Sequence, residues 1–168
     1  MRMNKRGFLL MEVAAYAFLT MLLVLMSLEM LTGLKNIYAK AESESELHEN
    51  AMTVQHFIEA RLYGASSITA VTGTNGRKTA WGEFSRGDVD EISFKFGEEN
   101  VGIYLNRSTK KLFCIIGGAK PGYEFANYVS KMRAEKIQDE SGVRLVLLLE
   151  KNNCSMETEF LIFIRNCP

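Results

Sequence analysis

The sequence predicts an α+β fold, a long N-terminal helix packed on an antiparallel β-sheet domain, and three observations carry that expectation. An apolar run begins at Phe8 and continues through Leu28, about the ~20 residues a helix needs to cross a bilayer. From there to Ala65, apolar residues recur mostly at three- and four-residue steps with no Pro among them, which is the period of one helix face. Beyond Ser67 the pattern changes to short alternating runs separated by turn-forming clusters.

Residues 8–34 are expected to form the transmembrane part of the helix. Arg2, Lys5 and Arg6 precede it, and the positive-inside rule then holds the N-terminus in the cytoplasm. The chain is accordingly expected to be a single-pass protein of the cytoplasmic membrane, with its C-terminal domain outside. Residues 35–66 continue as an amphipathic helix. Leu34, Ile37, Tyr38, Ala41, Leu47, Ala51, Val54, Ile58, Leu62 and Ala65 mark the apolar face, with a polar gap around Ser45. Lys40, Glu42, Glu44, Glu46, Glu49 and Arg61 mark the solvated one, and Gly64 with Ser66 and Ser67 supplies the stop. At 1.5 Å per residue such a helix is roughly 85 Å long. A domain of about 100 residues buries only its second half.

Residues 67–168 then supply one globular, β-rich domain. Strands are expected at 68–71 and at 91–96, where Ile92, Phe94 and Phe96 share a face. Residues 101–106 and 111–116, joined across 107–110, read as a hairpin. Three further strands follow at 128–138, 143–150 and 157–165, with turns at 139–142 and 151–155 and loops at 72–76 and 117–122. Residues 143–149 are nearly all apolar, the pattern of a central strand covered on both faces.

Residues 5–12, Lys-Arg-Gly-Phe-Leu-Leu-Met-Glu, are the most informative stretch. They put a carboxylate, Glu12, one turn into the membrane span, where insertion costs roughly 2.5–3.5 kcal/mol and the default reading is functional. Basic residues, then Gly-Phe, then Glu as the fifth residue from the Phe: this resembles the class III signal of type IV prepilins and pseudopilins. The resemblance implies a leader of residues 1–7, cut between Gly7 and Phe8 by a prepilin peptidase that also methylates the new amine. A secretory signal would instead be cut after its apolar region at small residues, and Ser27-Leu28-Glu29 follows here.

The family further implies that Glu12 neutralises the Phe8 amine of a neighbouring subunit, since two buried opposite charges are tolerable only together. Phe8 and Glu12 are thus the expected assembly residues, Gly7 and Phe8 the processing residues, and Arg2, Lys5 and Arg6 the residues that orient the span. Implied partners are other pilins or pseudopilins, the prepilin peptidase and an assembly platform protein driven by a cytoplasmic ATPase. Many major pilins carry a helix-kinking Pro about three turns further on, but this chain has none before Pro121, which favours a minor pilin or minor pseudopilin. The layout of the rest is similar to that of J-type minor pseudopilins, W-type minor pilins and a small competence pseudopilin of Gram-positive bacteria.

Composition excludes some other classes. The 20 basic and 20 acidic residues cancel, and loss of Arg2, Lys5 and Arg6 with the leader leaves 17 against 20, or −3. A mildly acidic chain has no polybasic footprint for nucleic acid, so direct nucleic-acid binding is not expected. Of Cys114, Cys154 and Cys167, the last two flank a strand that spans roughly 30 Å, too far for a disulfide between them. Cys114 bridged to one of them, or three free thiols, both remain open. Residues 73–79 lack the spacing of a phosphate-binding loop. His48 and His56 have no third ligand, and Asp88 and Asp90 read as turn residues rather than a calcium loop. Trp81, Phe84, Tyr104 and Phe113 read as core residues in preference to an interaction patch. No metal, cofactor or catalytic constellation is expected.

The function these readings favour is that of a minor structural subunit of a type IV pilus-like filament, whether a pilus, a type II secretion pseudopilus or a DNA-uptake pseudopilus, and not an enzyme. The alternative is a membrane-anchored extracytoplasmic binding domain or enzyme unrelated to pili. Glu12 discriminates, because a plain anchor gains stability from Leu at that position.

Overall fold

The computed structural model describes residues 5–62, 64–117, 122–137 and 142–164. The chain divides into two compact units between Glu42 and Ser43. In the first unit it is helical from Lys5, and this segment belongs to α1 (Lys5–Leu62), the one described helix long and apolar enough to cross a membrane. Leu9, Leu22, Leu31, Ile37 and Tyr38 are all exposed. The hydroxyls within this apolar stretch bond to their own helix. Thr20 Oγ1 donates to Tyr16 O at 2.8 Å, Ser27 Oγ to Leu23 O at 2.8 Å, and Thr32 Oγ1 to Glu29 O at 2.8 Å. Such back-bonding satisfies a polar side chain where no water is at hand.

In the second unit α1 continues to Leu62, a turn short of the sequence expectation, and Ala65 N donates to Leu62 O at 2.9 Å just beyond it. Nine strands follow among the described residues: β1 (Ser67–Gly73), β2 (Lys78–Ala80), β3 (Arg86–Phe96), β4 (Glu99–Asn106), β5 (Lys111–Ile116), β6 (Tyr123–Ala126), β7 (Val129–Lys136), β8 (Gly142–Lys151) and β9 (Cys154–Phe163). A 3₁₀ turn (Trp81–Glu83) links β2 to β3. The sheet runs β6-β5-β4-β3-β7-β8-β9, with β1 beside β3 and β2 beside β1. β3 is long enough to serve both halves. Its start at Arg86, Gly87 and Asp88 pairs with β7, and the rest pairs with β1 and β4, all antiparallel.

Leu47, Ala51, Val54, Ile58 and Leu62, at helical spacing, form one core with Ile92, Phe94, Ile103, Leu105, Leu145 and Leu147 of the sheet. That helix face and the β4–β5 hairpin agree with the sequence expectation, from Val101↔Ile116 to Asn106↔Lys111. The expectation for residues 143–149 does not hold. β8 lies next to the edge strand, not at the centre, and of residues 143–149 only Val143, Leu145, Leu147 and Leu149 are buried. Val146 and Leu148 lie on the outer face, opposite Arg133 and Lys131 of β7 and Glu159 and Glu157 of β9. The stems of those long side chains shield them in place of a second layer.

Two tight features hold the sheet's shape. Asn152 and Asn153 both have positive φ, at 45° and 64°, between the paired residues Lys151 and Cys154. Such a two-residue hairpin turn suits Asn and the strand twist. Gly122 comes so close to β5 that a Cβ there would sit 2.0 Å from Cys114 O and 2.6 Å from its carbonyl carbon.

Candidate functional site

The first candidate is the start of α1. The backbone is helical at Gly7 and Phe8, while Arg2 and the side chains of Lys5, Arg6 and Phe8 lie outside the described residues. Glu12 is exposed on the helix beside exposed Leu9, Leu10, Met11 and Val13. Within residues 9–34 only Glu12 and Glu29 are charged. The back-bonded hydroxyls place no demand on a partner there. A carboxylate would if this stretch lay in a membrane, because its charge there is costly until it is matched.

The second candidate is a polar cluster in the unit from Ser43 onward that sequence reading did not find. Glu46 was expected on the solvated face. Instead its carboxylate accepts a hydrogen bond from Lys151 Nζ and another, at 3.3 Å, from the Tyr128 hydroxyl. The Lys151 ammonium also stands 4.9 Å from the centre of the Tyr128 ring. Asn152 Nδ2 donates to buried Ser43 Oγ at 3.3 Å, and the Asn127 backbone donates to Asn50 Oδ1 at 3.3 Å.

The loop residues of this cluster are tightly turned. Tyr128 has φ 66° and Lys110 φ 54°, a left-handed conformation uncommon for bulky side chains. Glu150 N to Tyr128 O at 2.7 Å and Val129 N to Lys110 O at 2.9 Å hold both. The hydrogen bond from Lys151 lowers the pKa of Glu46, and the bond to Glu46 raises that of Lys151. The cluster locks the helix at Ser43, Glu46 and Asn50 to the turns before β7 and after β8. Its partners lie 77 to 109 residues apart, so no local signal announces them; the Asn-Asn turn is the one clue in the sequence.

The remaining candidates resolve into structure. Residues 73–79 run from the end of β1 through a turn at 74–77 into β2, with Gly73 N donating to Arg77 O at 3.0 Å, and no helix follows the turn. His48 and His56 are exposed on α1. Asp88 and Asp90 are not turn residues: β3 starts at Arg86, and they pair with Arg133 of β7 at 3.1 Å and with Arg107, in the β4–β5 turn, at 2.5 Å. Each acid is thereby neutralised on a strand, which the turn reading did not anticipate. Among the described residues no group of three His, Cys, Asp or Glu side chains could hold a metal.

The four aromatics separate into two pairs. Trp81 and Phe84, with ring centres 5.7 Å apart, pack in and against the core. Tyr104 and Phe113, 6.5 Å apart, are half-buried cross-strand partners outside the core cluster. Cys114 is buried and Cys154 half-buried, and both are free; Cys167 lies outside the described residues. No protein-family model, curated protein or solved structure matches the chain.

Proposed function

We propose that the chain is a minor structural subunit of a type IV pilus-like filament, made as a prepilin and held in the membrane by the first part of α1. The observation that carries this reading is Glu12, a carboxylate in an apolar, exposed helix, standing fifth from Phe8 after Lys5-Arg6-Gly7. Cleavage after Gly7 creates an amine on Phe8. The amine of one subunit and Glu12 of the next are then opposite charges in a dry setting, each strongly unfavourable alone. Matching them sets the register between helices. Exposed apolar residues on all sides of the segment exchange lipid for other helices during assembly.

In this reading the second unit is the part displayed outside, and it works by contact rather than by catalysis. The partners are other pilin-like subunits, the peptidase and the assembly platform.

The test is the intact mass of the native protein. In a strain with an active prepilin peptidase, the mature chain should begin at N-methylated Phe8, lighter by residues 1–7 and heavier by one methyl. Gly7→Val should block the cut by crowding the scissile bond. Recovery of the chain still carrying Met1 from such a strain refutes the reading and leaves a plain membrane anchor in its place.

A further inference from the structure

The two edges of an open sheet present unpaired backbone groups, and natural proteins blunt them with short strands, bulges, Lys or Pro. Among the described residues this sheet has three outer strands, β2, β6 and β9, and leaves only β9 unblunted: β2 is three residues long and begins with Lys78. β6 is four residues long and pairs through an irregularity at Leu112/Phe113. β9 is ten residues long and runs beside β8 without a bulge from Gly142↔Phe163 to Lys151↔Cys154. It contains no Lys, Arg or Pro.

The last four residues of β9 are Phe160-Leu161-Ile162-Phe163. Phe160 and Ile162 are buried, while Leu161 and Phe163 are 57% and 60% exposed on the outer face. A groove of about 290 Å³ lies here, lined by Glu59, Leu161, Ile162 and Phe163. On the same outer face, ahead of Phe160, β9 carries Glu157 and Glu159. Arg144 holds Glu159 at 2.6 Å, whereas Glu157 has no ion pair among the described residues.

We propose that β9 is a docking strand that accepts, as an added antiparallel strand, an extended basic-apolar segment of a different polypeptide. Backbone pairing supplies affinity in such strand addition, and alternate side chains supply specificity. Antiparallel is the direction because every pairing in this sheet is antiparallel, and that ladder is slightly the more stable. The side chains then fix the guest. Reading from its N-terminus it carries apolar residues opposite Phe163 and Leu161, a polar residue opposite the engaged Glu159, and a Lys or Arg opposite Glu157.

A second copy of this chain does not fit. Consider antiparallel self-pairings that keep outer faces together, overlap five or more residues and use residues 160–163. Each sets Glu157 or Glu159 opposite another carboxylate or opposite Leu161 or Phe163, and like charges directly opposite are destabilising. The inference stands whether or not the chain is a filament subunit.

The experiment uses the full chain in detergent micelles and the peptide acetyl-Val-Thr-Val-Thr-Thr-Thr-Lys-amide, read by hydrogen-exchange mass spectrometry. The peptide should slow exchange in residues 154–163 and leave residues 123–126 unchanged, and a version with Pro at its central Thr should slow exchange in neither segment. Glu157→Lys should weaken binding about fivefold, the size of one cross-strand charge pair turned repulsive. The same variant should bind the peptide ending in Glu better than the parent does. Three results overturn the proposal: no slowing in β9, equal slowing in β6, or protection of β9 that rises with chain concentration without peptide. The last would make a second copy the occupant.

Discussion

Replacing Ile58 by Ala tests the joint between helix and sheet most directly. Ile58 is 0% exposed and sits between Val54 and Leu62 in the core shared with the strands. The change removes three carbons, about 0.8 kcal/mol of transfer free energy each, or ~2.4 kcal/mol. The void left behind adds to this and brings the cost to about 3–4 kcal/mol, within the 2–5 kcal/mol span of such truncations. For a unit of this size, 1 kcal/mol moves the melting temperature by roughly 3–5 °C, so a fall of about 10–15 °C is expected.

The assay is thermal unfolding followed by Trp81, the sole tryptophan, which is itself buried in this core. Glu59→Ala is the control, one position along and exposed; it should shift the midpoint by little, since exposed substitutions fall within about 0.5 kcal/mol. Equal midpoints for the two variants would refute the assigned helix face.

Three further outcomes are expected. Glu12→Leu should insert into membranes at least as well as the parent, because a transfer cost of roughly 2.5–3.5 kcal/mol is removed, yet be recovered several-fold less in sheared filaments; equal recovery would show that Glu12 is not an assembly contact. The Glu46–Lys151 pair should make stability pH-dependent in a defined way. The lowered Glu46 pKa contributes stability above the ordinary 4.5, lost as pH falls through the folded value; the raised Lys151 pKa contributes below 10.5, lost as pH rises through its own. The parent's advantage over Lys151→Met in denaturant midpoint should therefore be greatest from about pH 5 to 10 and shrink on either side; a pH-independent difference would refute the pairing. Burial pushes the Cys114 thiol up in pKa and closes it to reagent, so iodoacetamide at pH 8 should label Cys154 about tenfold faster than Cys114 in the folded chain. Equal labelling would show that β5 is open to solvent.

Where the fold was legible, a local period carried it. The spacing of Leu47, Ala51, Val54, Ile58 and Leu62 announced both the helix and its buried face, and the β4–β5 hairpin followed from two runs with a turn between. Strand 143–149 misled because Val146 and Leu148 look like core residues; only their neighbours on β7 and β9 reveal that side-chain stems cover them. Asp88 and Asp90 misled in the opposite sense, as acids suited to a turn until Arg133 and Arg107 arrive from elsewhere in the chain. β2 and β6, three and four residues long, carry too little pattern to be seen. The lock around Glu46 was invisible because it depends on contacts across most of the domain's sequence. The proposed assembly residues were legible from a motif alone.

The close approach at Gly122 limits how this sequence can drift. A single methyl there would overlap the Cys114 carbonyl, which is backbone and cannot swing aside. Any other residue therefore peels β6 away from β5, and with it goes Phe125, whose ring stacks on Phe57 of the helix at 4.1 Å. Alanine, tolerated almost anywhere on a protein surface, is excluded here by one added carbon. Neighbouring positions on the exposed strand, such as Tyr123, remain free to vary. A library of variants selected only for folding should thus return one residue at position 122 and many at position 123.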